Sequence, residues 1–232
     1  MVSPTVVFDL DGTLVDTAPD LVAALNIIFA REGLPPVAYE DARNMVGGGA
    51  RAMIERGLAA EGRALPTAEV DRLVKAFIAH YADHIADGSR PFPGLTAALD
   101  EVGAAGCRLA VCTNKLEWLS LRLLGALGLK ERFVAICGPD TFGVRKPDPE
   151  MLRRTIARAG GQPERAVMVG DSVTDITTAR AAGVPVIAVD FGYSETPVAQ
   201  LGSNRLISAF DELPEAVFDL LGAGQPSRPG QG

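Results

Sequence analysis

The chain has 232 residues, of which 47% are hydrophobic and 22% are charged, and its formal net charge is −7. This length and apolar content suit one large domain, or a core into which a second domain is inserted. Basic residues are scattered and no apolar run approaches about 18 residues, so neither a nucleic-acid-binding surface nor a membrane-spanning segment is indicated.

The chain begins with a short apolar strand. Thr5–Phe8 is β-branched and aromatic at successive positions, which is typical of a strand buried inside a parallel sheet. No basic and apolar leader precedes this strand, so we expect a cytoplasmic protein. The chain has three cysteines, Cys107, Cys112 and Cys137. They show no metal-ligand spacing, and we expect them to be buried thiols in a reducing compartment.

Residues 17–87 carry helical patterns and no strand pattern. Apolar residues recur at three- and four-residue steps after Thr17 and again after Thr67. Between these two segments, Gly47-Gly48-Gly49 separates two shorter predicted helices. We therefore predict an all-helical domain at 17–87, inserted into a core made of residues 1–16 and 88–221.

From Pro91 onward, predicted strands alternate with predicted helices. The strands are Arg108–Cys112, 134–137, 166–169, Val186–Val189 and Arg205–Ile207. This alternation predicts right-handed parallel crossovers and an α/β fold with a doubly wound parallel sheet, which binds ligands beyond the carboxyl ends of its strands. Residues 222–232 are poor in large apolar side chains and are predicted to form a disordered tail.

Polar side chains occur at four points that such a sheet would gather on one edge. They are Asp9 and Asp11 after the first strand, Thr113-Asn114 after another, Lys146 before a helix, and Asp171 with Asp175 after a later strand. Two carboxylates about 4 Å apart repel by roughly 4 kcal/mol at an effective dielectric constant near 20. We therefore expect a cation between the first two, or a division of labour into nucleophile and proton carrier.

Each point also has a plainer interpretation. Asp11-Gly12 is a common turn dipeptide, and Thr113-Asn114 would cap the following helix. Lys146 would be a solvated loop lysine, and Asp171 would cap the helix that begins near residue 173. Each point alone is weak evidence, whereas all four in this order favour one composite site.

The four points resemble, in order and without a gap, the motifs of the haloacid dehalogenase superfamily. The first of these motifs is represented here by Phe8-Asp9-Leu10-Asp11-Gly12-Thr13-Leu14. The resemblance implies a Rossmann-like core with a helical cap domain inserted after the first strand, with hinges near Thr17 and Arg90. It also implies Mg²⁺-dependent hydrolysis of a phosphate monoester through an aspartyl-phosphate intermediate.

The resemblance assigns a role to each residue. Asp9 is the expected nucleophile, Asp11 the general acid and base, and Lys146 the cation that balances charge at the phosphoryl group. Mg²⁺ is expected to bind the side chains of Asp9 and Asp171 and the backbone carbonyl of Asp11. Thr113 and Asn114 would bind phosphoryl oxygens. Asp175 and Thr13 would not touch the substrate or the metal ion but would orient the groups that do.

Three further segments resemble those of bacterial phosphoglycolate phosphatases. They are Val46-Gly47-Gly48-Gly49-Ala50, Arg90-Pro91-Phe92-Pro93-Gly94 and Cys112-Thr113-Asn114-Lys115. The resemblance makes 2-phosphoglycolate the expected substrate, with Gly48 and Arg51 binding its carboxylate. A flexible connection between two helices is the alternative interpretation of the glycine segment.

Several alternatives stay open at this point. The substrate would instead be pyrophosphate, a sugar or amino-sugar phosphate, or a nucleotide monophosphate. A β-phosphoglucomutase-like phosphotransferase and a non-catalytic binding module are the other candidates. A dehalogenase is disfavoured because it needs neither Asp11 nor Asp171. We expect a small-molecule phosphate ester as the binding partner, without nucleic acid or membrane, and a monomer or a homodimer.

Overall fold

The computed structural model describes residues 3–194 and 196–222. Apart from Gly222, the tail predicted at 222–232 lies outside the described residues. The strands are β1 (Thr5–Phe8), β2 (Val15–Asp16), β3 (Arg90–Pro91), β4 (Arg108–Cys112), β5 (Ala135–Cys137), β6 (Ala166–Gly170), β7 (Val186–Val189) and β8 (Arg205–Ile207).

The helices frame the sheet and fill the segment between β2 and β3. They are α1 (Ala18–Arg31), α2 (Tyr39–Arg43), α3 (Ala50–Ala60), α4 (Thr67–Asp83), α5 (Leu95–Ala104), α6 (Glu117–Ala126), α7 (Pro139–Phe142), α8 (Pro149–Arg158), α9 (Val173–Ala182) and α10 (Leu213–Leu221). None of these helices has the length and apolarity that crossing a membrane requires.

Six strands form one parallel sheet, in the order β5-β4-β1-β6-β7-β8. The chain builds outward from β1 to β4 and β5, and then returns to the other side of β1 for β6, β7 and β8. Strand order therefore reverses at β1, and a crevice opens there beyond the carboxyl ends of the strands. The predicted α/β fold with a doubly wound parallel sheet is confirmed.

Two apolar cores lie on opposite faces of the sheet, because successive side chains of a strand point to opposite sides. Phe8 faces a core that includes Leu99 of α5 and Val217 of α10. Val7 faces a second core that includes Met151 of α8. The cysteines at 107, 112 and 137 are buried and free, as predicted.

The segment between β2 and β3 contains α1 to α4. β2 and β3 pair antiparallel, with Val15 opposite Pro91 and Asp16 opposite Arg90. This ribbon lies where the chain leaves the core and re-enters it, at the predicted hinge positions. Its strands have two residues each, which is too short for any periodicity to predict them. The division of this segment into a separate cap domain stays a prediction.

Asp20 ties the beginning of α1 to the chain just before β3. Its carboxylate accepts hydrogen bonds from the backbone N–H of Gly88 at 2.7 Å and of Ser89 at 2.8 Å. The Ser89 hydroxyl donates a third at 2.6 Å. Asp20 and Ser89 are both buried, so these bonds hold together the two ends of the helical segment.

Replacing Asp20 by alanine should destabilise the fold by about 3 kcal/mol, because three donors lose a charged acceptor and two of them, the N–H and the hydroxyl of Ser89, are buried. The free energy of unfolding from urea denaturation measures the loss. Asp41→Ala, which removes an exposed carboxylate from α2, is the matched control. Equal midpoints for the two variants would show that the bonds of Asp20 contribute nothing to stability.

Candidate active site

Asp9 and Asp11 directly follow the carboxyl end of β1. The Asp9 backbone N–H donates to the Val169 carbonyl of β6 at 2.9 Å, so the strand is held in the sheet up to this residue. Gly12 follows with φ of +82°, and a Cβ atom there would lie 2.5 Å from Asp171 Oδ2. Glycine is therefore required at this turn, which brings the first motif directly against Asp171.

Lys146 lies between two buried carboxylates. Its Nζ is 2.9 Å from Asp9 Oδ1 and 2.6 Å from Asp175 Oδ1. The other oxygen of Asp175 accepts hydrogen bonds from the backbone N–H and the hydroxyl of Ser172, the N-cap residue of α9. The helix start thus fixes Asp175, and Asp175 fixes the lysine beside Asp9.

Asp171 is held from two sides. The Thr13 hydroxyl donates to its Oδ1 and the Tyr193 backbone N–H donates to its Oδ2, both at 2.8 Å. A Cβ atom on Gly192 would lie 2.3 Å from Asp171 Cβ, so the loop after β7 can approach this closely only with glycine. The Tyr193 hydroxyl accepts a hydrogen bond from the Ala18 backbone N–H at 3.0 Å. Tyr193 therefore links the orientation of Asp171 to the first residue of α1.

Burial sets the electrostatics of this group. Desolvation raises the pKa of Asp9 to about 8, and the charges of Asp175 and Asp171 add to the rise, whereas Lys146 opposes it. Desolvation and the charge of Asp175 also raise the pKa of Asp171 to about 6, against the hydrogen bonds from Tyr193 and Thr13. The site carries more negative charge than Lys146 alone balances.

This carboxylate cluster fits a divalent cation. Asp9, Asp171 and Asp175 are all buried, and one oxygen of each lies within 4.8 Å of the others. A hard cation with carboxylate oxygen ligands would offset the repulsion that raises their pKa values. Asp175 Oδ1 contacts Lys146 and its Oδ2 accepts two hydrogen bonds from Ser172, whereas each oxygen of Asp171 accepts only one. We therefore expect the side chains of Asp9 and Asp171 to contact such an ion.

Thr113 and Asn114 extend from β4 into the same crevice. The Asn114 side chain accepts from the Lys146 backbone N–H at 3.0 Å and donates to the Lys146 carbonyl at 3.2 Å. The Thr113 hydroxyl accepts from the Lys115 backbone N–H at 3.1 Å. Neither side chain caps α6, whose first residue donates instead to Asp140.

Asp11 has partners that the sequence did not reveal. Its Oδ1 accepts a hydrogen bond from the Thr17 hydroxyl at 2.7 Å and lies 3.0 Å from Lys115 Nζ. Lys115 in turn donates to the Tyr81 hydroxyl of α4 at 2.8 Å. Burial would lower the pKa of Lys115, but the charge of Asp11 and the bond to Tyr81 outweigh it and raise the pKa above its usual value.

A cavity of about 210 Å³ begins at Asp11 and extends among the helices of the inserted segment. Gly47 and Gly49 line it, and Gly48 lies between them with its carbonyl accepting from Arg145. Arg51 also lines the cavity, but its guanidinium is bound to Asp71 and Glu55 on the helices around it. The structure therefore gathers the predicted core residues in one crevice and places Gly48 and Arg51 at the neighbouring cavity.

The sequence reasoning missed Thr17, Lys115, Tyr81 and Tyr193. Lys115 directly follows Thr113-Asn114 at a strand end, and this position could have predicted that it lies at the site. Tyr193 follows β7 at the same edge of the sheet, which was a weaker one. Tyr81 belongs to the apolar stripe of α4, and its position at Lys115 depends on how the inserted helices pack.

Comparison with known protein families agrees with this geometry. The model for haloacid dehalogenase-like hydrolases matches residues 6–189, which includes every predicted site residue. The chain belongs to the haloacid dehalogenase-like hydrolase family.

Two relatives resemble this chain over nearly its whole length. Phosphoglycolate phosphatase of Mesorhizobium japonicum is 54% identical, covering 92% of this chain and 94% of the relative. That of Caulobacter vibrioides is 51% identical, covering 94% and 92%. Among solved structures, CbbY from Rhodobacter sphaeroides in complex with phosphate has a TM-score of 0.79 and 28% identity, covering 95% of this chain and 100% of that one. The chain is a phosphoric monoester hydrolase.

Replacing Asp175 by asparagine should lower kcat about 100-fold, because Lys146 loses the carboxylate that holds it beside Asp9. Asp148→Asn is the control, since Asp148 caps α8 from an exposed position and asparagine caps equally well. Steady-state kinetics on a phosphate monoester, with circular dichroism to check folding, measure the effect. A folded Asp175→Asn protein with unchanged kcat would contradict a positioning role for this residue.

Proposed function

We propose that this protein hydrolyses 2-phosphoglycolate to glycolate and phosphate, with Mg²⁺ as cofactor and Asp9 as the covalent nucleophile. The observation that carries the proposal is the buried Asp9 carboxylate beside the Lys146 ammonium, two residues from a second acid at the mouth of a small cavity. The relatives at 54% and 51% identity support this choice of substrate by their names.

In the first step, a carboxylate oxygen of Asp9 attacks phosphorus in line with the ester oxygen. The bond from phosphorus to the ester oxygen breaks, and Asp11 transfers a proton to that oxygen as the alcohol leaves. Lys146 stabilises the charge on the phosphoryl oxygens, and the Thr113 hydroxyl and the Asn114 backbone N–H bind those oxygens. The products of this step are glycolate and an aspartyl phosphate on Asp9.

In the second step, water attacks the phosphorus of the aspartyl phosphate and Asp11 removes its proton. Phosphate leaves and both aspartates return to their starting states. Mg²⁺ would be held by the side chains of Asp9 and Asp171 and by the Asp11 carbonyl, and it supplies the positive charge that lets a carboxylate approach an anionic phosphate.

The inserted helices would confine the reaction. They cover the cavity at Asp11, where exclusion of bulk water strengthens the electrostatic contacts of the acid and of the phosphoryl group. Movement about the predicted hinges near Thr17 and Arg90 would admit the substrate and release the glycolate. The contact of Gly48 and Arg51 with the substrate stays a prediction.

Replacing Asp9 by asparagine should reduce kcat about 10⁴-fold or more, because an amide oxygen is a poor nucleophile and forms no stable acyl phosphate. Release of phosphate from phosphoglycolate measures turnover, and acid-quenched labelling with substrate carrying radioactive phosphate measures the covalent intermediate. Asp41→Asn, on the exposed face of α2, serves as the control. Phosphate covalently bound to the Asp9→Asn protein would place the nucleophile elsewhere.

Mg²⁺ should raise the melting temperature of protein that has been stripped of metal, because it offsets repulsion within a buried carboxylate cluster. Asp171→Asn should diminish this rise, since it removes one of the two carboxylates expected to bind the ion. Thermal melting with EDTA and then with excess Mg²⁺ measures it, and Asp41→Asn is again the control. An equal rise in wild type and Asp171→Asn would remove Asp171 from the metal site.

A further inference from the structure

Three basic side chains line the cavity beyond Asp11, and their surroundings differ. Arg51 pairs with Asp71 and Glu55, and its side chain is 40% exposed. The Arg145 guanidinium donates to the Gly48 carbonyl from an exposed position. Lys115 is the buried member, with 5% of its side chain exposed. Buried between the acid and the inserted helices, it is the cation best placed to contact the organic part of a substrate.

One N–H group of the Lys115 ammonium is not used by the contacts with Asp11 and Tyr81. Its ammonium has three N–H groups, one directed at Asp11 Oδ1 and one at the Tyr81 hydroxyl. Within residues 3–194 and 196–222, the third has no further hydrogen-bond acceptor. The Tyr81 hydroxyl accepts from Lys115, and the part of the chain that the structure describes offers no acceptor for its own O–H. Both side chains line the cavity, so each has one donor to offer to a ligand there.

Their charge states suit an anion. Lysine is an ammonium at neutral pH, and Lys115 Nζ lies 3.0 Å from the Asp11 carboxylate, which favours the charged form. Burial raises the pKa of Tyr81 to about 12, so its hydroxyl keeps the proton. An ammonium and a hydroxyl beside each other can each donate to one oxygen of a carboxylate.

The position of Lys115 next to Asp11 limits the length of the ligand. Asp11 is proposed to contact the ester oxygen, and Lys115 Nζ is 3.0 Å from Asp11 Oδ1. In the phosphate ester of a 2-hydroxy acid, a single carbon separates the ester oxygen from the carboxylate. An anionic group attached to that carbon would therefore reach Lys115, whereas an anionic group at the far end of a sugar would lie farther from Lys115.

The apolar part of the cavity lining argues against a polyhydroxylated substrate. It is formed by Leu21, Met53, Val74, Phe77, Ile78 and Leu119. Sugar hydroxyls placed against these side chains would lose their hydrogen bonds to water without replacing them. A short substrate with its only polar group next to Asp11 avoids this cost.

We propose that Lys115 and Tyr81 form the binding site for the substrate carboxylate and thereby select phosphate esters of short 2-hydroxy acids. This inference rests on the proposed function and adds the residues that recognise the substrate. The substrate carboxylate takes the free donors of both side chains. Its negative charge draws the ammonium away from Asp11 Oδ1, which weakens that contact and frees Asp11 to approach the ester oxygen.

The test compares 2-phosphoglycolate with 2-hydroxyethyl phosphate, in which a neutral hydroxymethyl group replaces the carboxylate. The ratio of their kcat/KM values measures selectivity for the carboxylate, and a general loss of folding or of chemistry would not change it. The variants are Lys115→Met, which removes the charge, Tyr81→Phe, which removes the hydroxyl, and Lys115→Arg, which keeps the charge. Lys75→Met, at an exposed lysine of α4, is the control.

The preference for phosphoglycolate should fall about 100-fold in Lys115→Met and about 10-fold in Tyr81→Phe, because each removes a donor to a desolvated carboxylate. Lys115→Arg should retain part of the preference, and Lys75→Met should match wild type. If wild type prefers phosphoglycolate and Lys115→Met keeps that preference, this inference is overturned while the proposed function stands. If wild type hydrolyses both esters without preference, the choice of phosphoglycolate as substrate fails, and this inference fails with it.

Discussion

The buried contact of Lys146 with Asp9 and Asp175 is the interaction on which the site depends. It joins three parts of the chain that are distant in sequence: the end of β1, the loop before α8 and the first turn of α9. The doubly wound sheet makes this meeting possible, because β1 lies between β4 and β6 at the point where strand order reverses. A buried ammonium is costly unless it is paired, so Lys146 and its partners must come together for the core to close.

The same cluster works against stability in the absence of a cation. Asp9, Asp171 and Asp175 are buried together, and the pKa values of Asp9 and Asp171 are raised accordingly. A core selected for stability alone would not gather them there. Fixed donors from Thr13 and the Tyr193 backbone nevertheless hold Asp171 in place. The electrostatic repulsion is therefore confined to the crevice where we propose that a metal ion and the phosphoryl group bind.

The core and the polar points at its edge were predictable from sequence because they follow local rules. Buried strands such as Thr5–Phe8 are short apolar runs, and polar residues that end parallel strands must share one edge of the sheet. The β2–β3 ribbon was not predictable, because two residues per strand carry no period. The bond between Lys115 and Tyr81 was equally hidden, since it depends on how α4 packs over the core and not on any local pattern.

The packing of α4 over the core places Tyr81 against Lys115, which in turn contacts Asp11. The Tyr81 ring lies under Lys115 at 4.3 Å, and the Lys115 ammonium bonds both to the Tyr81 hydroxyl and to Asp11. Any displacement of α4 that breaks the first bond changes the surroundings of the second. The position of α4 therefore affects the charge that Asp11 experiences. Under the proposed roles, recognition of the organic part of a substrate and the surroundings of Asp11 are therefore coupled through Lys115.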